Sequence, residues 1–132
     1  VVGIIEHKDL VLITKRKPNQ LLGGLWEFPG GKAKENEPLE DALHREIQEE
    51  LNITTKIIGQ FTPIRHAYSH FKITLHGYLC TYKSGDLICR SAETFQWVPK
   101  NAISDFAFPK ANQRLLTDYL NNTIQMIVTQ KQ

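Results

Sequence analysis

The sequence predicts an α+β fold, and three patterns carry that prediction. Residues 72–82 alternate Ile73, Leu75, Gly77 and Leu79 with Thr74, His76, Tyr78 and Cys80, and a period of two marks a strand with two distinct faces. Leu39, Ala42, Leu43, Ile47 and Leu51 recur instead at helical spacing. Leu115, Leu116, Tyr119 and Leu120 do the same near the end, so one helix lies amid strands and a second follows them.

The elements can be justified in order. Apolar, β-branched runs at residues 1–5 and 10–15 flank the polar Glu6-His7-Lys8-Asp9, which reads as a hairpin. Gly23-Gly24 is a turn, and residues 25–28 form a short strand running into Pro29-Gly30-Gly31. Pro38 is tolerated only in a first helical turn, so the first helix begins near it and ends at Leu51-Asn52. Residues 57–61 are a further strand. After the long strand at 72–82, Lys83-Ser84-Gly85-Asp86 turns the chain back toward 87–89. Residues 94–98 make a strand closed by Pro99, 101–105 a short turn or helical piece, and 112–120 the final amphipathic helix. Residues 121–132 hold Ile124, Met126 and Ile127 without a clear period, and no element is assigned there. With no repeat or linker, residues 1–132 read as a single domain.

Composition excludes several classes. At 41% hydrophobic and 23% charged, the chain is neither disordered nor a membrane protein by composition. It has no run of 18 apolar residues, which predicts a soluble, cytoplasmic protein with no membrane partner. The net charge of +2 does not by itself announce a nucleic-acid binder. Cys80 and Cys89 lack metal-ligand spacing and read as two reduced thiols in or near strands. Position 1 is not methionine and already reads as strand, as in a piece of a longer chain.

The first helix carries the chemistry. Glu46, Glu49 and Glu50 stand at i, i+3 and i+4, so they share a flank, and Glu46 and Glu50 fall within the apolar stripe. Inward carboxylates at that spacing repel one another unless a cation compensates. All-oxygen ligands favour Mg²⁺, with Mn²⁺ the alternative, and such ions usually complete their shell with substrate phosphates. Gly30, just before the helix, allows close backbone approach and a carbonyl for the same ion. The basic Lys15-Arg16-Lys17 makes Arg16 a candidate phosphate contact, though such clusters are often only solvated strand ends.

These residues resemble a family. Gly31, Glu37, Arg45-Glu46-Ile47, Glu49-Glu50 and Asn52-Ile53 are similar, in identity and spacing, to the Nudix box of the MutT-like pyrophosphohydrolases. Asn52 alone departs, standing where the family has a glycine in the left-handed region that Asn tolerates. The resemblance implies a mixed sheet between helices. It also implies Glu46, Glu49 and Glu50 as metal ligands, one of them helping to deprotonate the attacking water. Which one is left open. Gly30 would add its carbonyl, Glu37 would support the ligands, and Arg45 would orient them.

Two finer resemblances bear on substrate. The spacing from Arg16 to Phe28 and from Trp97 to Asn112 is similar to that of the 8-oxo-dGTP pyrophosphohydrolases. That likeness implies Arg16 at phosphate and Asn112 at an oxidised guanine, with Phe28 a further substrate-binding residue. An Asn offers both donors and an acceptor for the task, although it can equally cap a helix. Ser91 stands where that layout has another glutamate, with Glu93 two residues on. The stretch from Leu21 to Gly31, the His66-Ala67-Tyr68-Ser69-His70 loop and residues 106–114 resemble the C-terminal MutT-like domain of the MutY-type A/G-specific adenine glycosylases. There the implied ligand is 8-oxoguanine in duplex DNA, met by Ser69 with His66, Tyr68 and His70 shaping the loop, and the implied partner is an N-terminal glycosylase domain. The loop favours this lesion-recognition reading in base excision repair. The alternative is a self-contained Mg²⁺-dependent hydrolase cleansing the nucleotide pool, and a fold kept only for protein contacts is a third reading.

Overall fold

The structure, a computed structural model, describes residues 1–126. β1 (Val2–His7) and β2 (Leu10–Lys15) form the expected hairpin, pairing Ile5 with Leu12 and His7 with Leu10. Lys8 and Asp9 both take positive φ, 50° and 66°, the tight turn whose twist matches the strands. β1 also pairs in parallel with β7 (Gly77–Ser84), which pairs antiparallel with β4 (Thr54–Gln60). A two-residue β9 (Gln125–Met126) closes that edge, and β8 (Thr94–Pro99) runs along β2. The result is a mixed seven-stranded sheet.

Alternation along the central strands explains why both faces are covered. Ile5, Leu12, Tyr78 and Cys80 pack with Leu43, Ile47 and Leu51 of α1 (Leu39–Leu51). Their neighbours Ile4, Val11, Ile13 and Leu79 pack on the other face with Leu115, Leu116 and Tyr119 of α2 (Lys110–Leu120). The mixed sheet between helices is therefore as expected.

One local feature makes room for a site. β8 occupies one edge of β2, so β1 and β3 (Trp26–Glu27) share the other: β1 pairs residues 10–12, β3 pairs Thr14 and Lys15. Beyond β3 the chain crosses to β1, where Gly3 N–H donates to the Pro29 carbonyl and Gly31 N–H to the Val1 carbonyl. Residues 26–31 thus wedge between two strands that splay apart.

Several expectations are corrected. The strand predicted at 72–82 is broken at His76: β6 (Lys72–Leu75) pairs with β5 (Ile64–Ala67) in a separate two-stranded sheet, and only β7 enters the main one. Leu75 and Leu79 still face one core, so the alternation does not register the break. Tyr78 and Cys80 are buried too, against α1, so the run is not half-solvated. Residues 87–89 form no return strand. They reach α1 instead, with Ile88 N–H on the Leu51 carbonyl and Arg90 N–H on that of Glu50, which satisfies carbonyls a helix end leaves unpaired. α2 begins two residues before Asn112, so Asn112 is no N-cap. Leu120, expected inward, is 37% exposed. Residues 100–105 are a 3₁₀ helix, matching the expected helical piece, and Ile127 of the tail lies outside the described residues.

No helix among the described residues is long and apolar enough to cross a membrane. Cys80 is fully buried and its thiol is pushed up to about 12 by that burial, whereas Cys89 is only partly covered. A thiol reagent at pH 8 is expected to consume one equivalent in the native protein and two in denaturant. Two equivalents without denaturant would contradict the packing around Cys80.

Candidate active site

α1 is built to aim carboxylates. Pro38 starts it, and Asn52 ends it in the left-handed conformation at φ 60°, its backbone N–H on the Gln48 carbonyl. Asn52 thus does what the glycine it replaces would do. Glu46 is turned against the wedge: a Cβ on Gly31 would fall inside the Glu46 carboxylate, which would have to move aside. A Cβ on Gly30 would collide with the Val1 carbonyl oxygen. The bonds from Gly3 to Pro29 and from Gly31 to Val1 leave the N–H and C=O of Gly30 facing away from β1.

Arg45 organises the acids. Its Nε and Nη2 donate to Glu37 Oε2 and Oε1 at 2.8 and 2.9 Å, and Nη2 also donates to the Lys32 carbonyl at 3.0 Å. Nη1 donates to Glu46 Oε1 at 3.0 Å and Glu49 Oε1 at 3.1 Å. All five N–H groups of the guanidinium are thereby used. Those hydrogen bonds and one from Lys34 N–H hold the Glu37 carboxyl down at about 2. Glu50 differs: burial first, then the charges of Glu46 and Glu27, push it up to about 7.

A cavity of about 630 Å³ opens beside this cluster. Arg16, Glu27, Phe28, Gly30, Gly31, Glu50 and Asn112 line it, so residues far apart in sequence meet there. Asn112 is 8% exposed, and its Oδ1 accepts the Phe28 N–H at 3.2 Å. That bond assigns the amide: Nδ2, with its two donors, remains for a ligand. The Phe28 ring, by contrast, is buried and stacks on Phe108 at 5.3 Å, so only the backbone of Phe28 is offered to a ligand.

Other predicted residues lie elsewhere. Neither Glu46 nor Glu49 lines the cavity: Glu46 is held by Arg45 against Gly31, and the Glu49 side chain is 56% exposed. His66, Tyr68, Ser69 and His70 belong to the β5–β6 hairpin and none lines the cavity; Ser69 and His70 are exposed at its tip. Tyr68 fastens that hairpin to α2, its hydroxyl accepting the Ala111 N–H at 2.9 Å and its ring stacking on Phe71. Ser91 does line the wall, but Glu93 does not, being paired with Lys15 at 3.8 Å. Glu27, Gln20, Lys32, Thr74 and His76 also line the cavity and were not singled out from sequence. For Glu27 a signal existed, an acid directly before Phe28-Pro29-Gly30.

The donor set fits a hard divalent cation. Glu46, Glu50 and the Gly30 carbonyl offer only oxygens, and at the half-buried Glu50 the charge of Arg16 only partly offsets burial and the neighbouring acids. Among the described residues no three acidic, His or Cys side chains converge closely enough to cage an ion alone. That is the arrangement for Mg²⁺, which binds one or two carboxylates and keeps water and phosphate oxygens as its other ligands.

Comparison with known proteins gives consistent results. A family model for the NUDIX domain matches residues 1–118. The 8-oxo-dGTP diphosphatase of Buchnera aphidicola subsp. Schizaphis graminum is 35% identical over 118 residues, covering 89% of each chain. The 8-oxo-dGTP diphosphatase of Haemophilus influenzae is 31% identical, covering 95% of this chain and 93% of its own. A solved structure from work on MutT of Aliivibrio salmonicida and Vibrio cholerae superposes with a TM-score of 0.69 at 27% identity, covering 92% of this chain and 94% of that one. The two curated relatives are named for a free nucleotide, 8-oxo-dGTP, and all three proteins match over most of their own length. The expectation of a glycosylase domain gains no support from them, and the hydrolase alternative does.

Proposed function

The chain belongs to the NUDIX domain family of hydrolases, and from that premise we propose that it is a Mg²⁺-dependent pyrophosphohydrolase of oxidised guanine nucleoside triphosphates. One observation carries the reading: the Glu50 carboxylate of α1, the Gly30 backbone and the buried amide of Asn112 open onto the same cavity. A phosphate-processing end and a purine-reading end thus share one space.

Glu46, Glu50 and the Gly30 carbonyl are the groups that would hold the metal, with Glu49 nearby and Glu37 and Arg45 keeping Glu46 in place. When bound, Mg²⁺ neutralises charge on phosphate oxygens and orients the attacking water. Arg16, which also lines the cavity, meets the polyphosphate. Glu50, the α1 carboxylate on the cavity wall, is the acid placed to accept a proton from water. At the purine end, Asn112 Nδ2 donates to a ring carbonyl and Phe28 holds the amide in that orientation.

The test is pyrophosphate release from 8-oxo-dGTP and dGTP by the purified chain with Mg²⁺. The oxidised nucleotide should be strongly preferred. Asn112→Ala should lower kcat/KM for 8-oxo-dGTP about ten- to hundredfold and narrow that preference, because a site built to hydrogen-bond its ligand loses about 1–3 kcal/mol with the bond. No turnover, together with tight binding to duplex DNA carrying 8-oxoguanine opposite adenine, would reinstate the lesion-recognition reading.

A further inference from the structure

Arg16 follows the last residue of β2, where a long basic side chain would ordinarily swing through solvent. Here it is anchored twice. Nη1 donates to both Glu27 carboxylate oxygens, at 3.0 and 3.3 Å, and Nε donates to the Leu21 carbonyl at 2.8 Å. Both side chains of the pair are more than two-thirds covered. Among the described residues no partner engages Nη2. The guanidinium is therefore fixed at the cavity wall with one amino group to offer.

Glu27 has a fixed place of its own. It lies in β3 opposite Thr14, held by the β2 ladder, and the next residue, Phe28, presents the backbone N–H that orients Asn112. The two-residue strand thus stands between the purine-reading amide and the phosphate-side cation.

We propose that Glu27 is a positioning residue, whose carboxylate holds the Arg16 guanidinium at the cavity wall in the orientation that receives the substrate's phosphates. The inference rests on the hydrolase reading above. It assigns Glu27 no direct contact with substrate or metal. Arg, unlike Lys, can answer an anchoring carboxylate and a phosphate together, because its planar fork presents donors in several directions.

The test is a double-mutant cycle on the whole chain with 8-oxo-dGTP and Mg²⁺. Glu27→Gln is expected to raise KM about ten- to hundredfold, the loss expected when a charge-assisted hydrogen bond is removed, with kcat changed far less. In the Arg16→Ala background the same change should have almost no further effect, since Glu27 acts through Arg16. Binding of the nucleoside 8-oxo-deoxyguanosine should be unaltered, which a general loosening of β3 would not permit.

An unchanged KM in Glu27→Gln overturns the inference. So does an equal penalty with and without Arg16, which would make Glu27 act directly. Absence of turnover in the unaltered chain would instead defeat the hydrolase reading. Even then, Glu27→Gln and Arg16→Ala should weaken binding of inorganic triphosphate, measured calorimetrically, to the same extent and non-additively. Additive losses in that measurement overturn the positioning role independently.

Discussion

Glu46→Gln should lower kcat for 8-oxo-dGTP by about 10³-fold or more while leaving the fold intact. Glutamine fills the same space against Gly31, and its carbonyl can still accept the Arg45 Nη1 hydrogen bond. What disappears is one negative charge at the place where Glu50 and the Gly30 carbonyl would meet a cation. Metal stabilisation of phosphoryl transfer contributes several kcal/mol, and each 1.36 kcal/mol is tenfold in rate. Steady-state kinetics over a Mg²⁺ series, with thermal unfolding as the control, would check this. An unchanged kcat would remove Glu46 from the metal shell.

The second large effect belongs to Arg45. Arg45→Ala removes a guanidinium whose five N–H groups reach Glu37, Glu46, Glu49 and the Lys32 carbonyl, and so detaches the loop after Gly31 from α1. Displacement of Glu46 by about an ångström is enough for a loss near 10²-fold in kcat. Tm should fall as well. Lys in its place should not rescue, because an ammonium cannot span four acceptors arranged around a plane.

The stability loss carries a pH signature. Glu37 is held down at about 2 by its hydrogen bonds from Arg45, so its contribution is present above the ordinary carboxylate value of 4.5. It fades as the pH falls from 4.5 toward 2. The Tm gap between the unaltered chain and Arg45→Ala should therefore narrow over that interval. A gap constant with pH would mean that the Glu37 pair adds nothing to stability.

The fold was legible where one residue type suits one conformation. Pro38 and Asn52 mark the ends of α1 because each is tolerated at only a few backbone positions, and the inward acids follow from helical spacing. The break at His76 was not legible, since Leu75 and Leu79 face the same core whether or not the strand is continuous. Within the site, sequence spacing identified Arg16, Glu46, Glu50 and Asn112 as candidates. It did not reveal that Phe28 serves through its backbone while its ring is core, a distinction set by stacking on Phe108 some 80 residues away. The His66 to His70 loop misled in a similar way. Its aromatic and small polar residues look poised for a ligand, yet Tyr68 is spent on holding a hairpin to α2, and pairing across β5 and β6 carries Ser69 to the tip.

The segment that returns after β7 is fastened to the last turn of α1 by the amides of Ile88 and Arg90, and the Arg90 guanidinium adds bonds to the carbonyls of Gln48 and Glu49. Ser91 and Ala92, which follow immediately, form part of the cavity wall. Local opening of that wall therefore cannot proceed without fraying the helix end that carries Glu50, which makes the two a single cooperative unit in native-state fluctuations. On the proposed function, entry and exit of a nucleotide would then draw on motion elsewhere around the rim, leaving the acids of α1 in register.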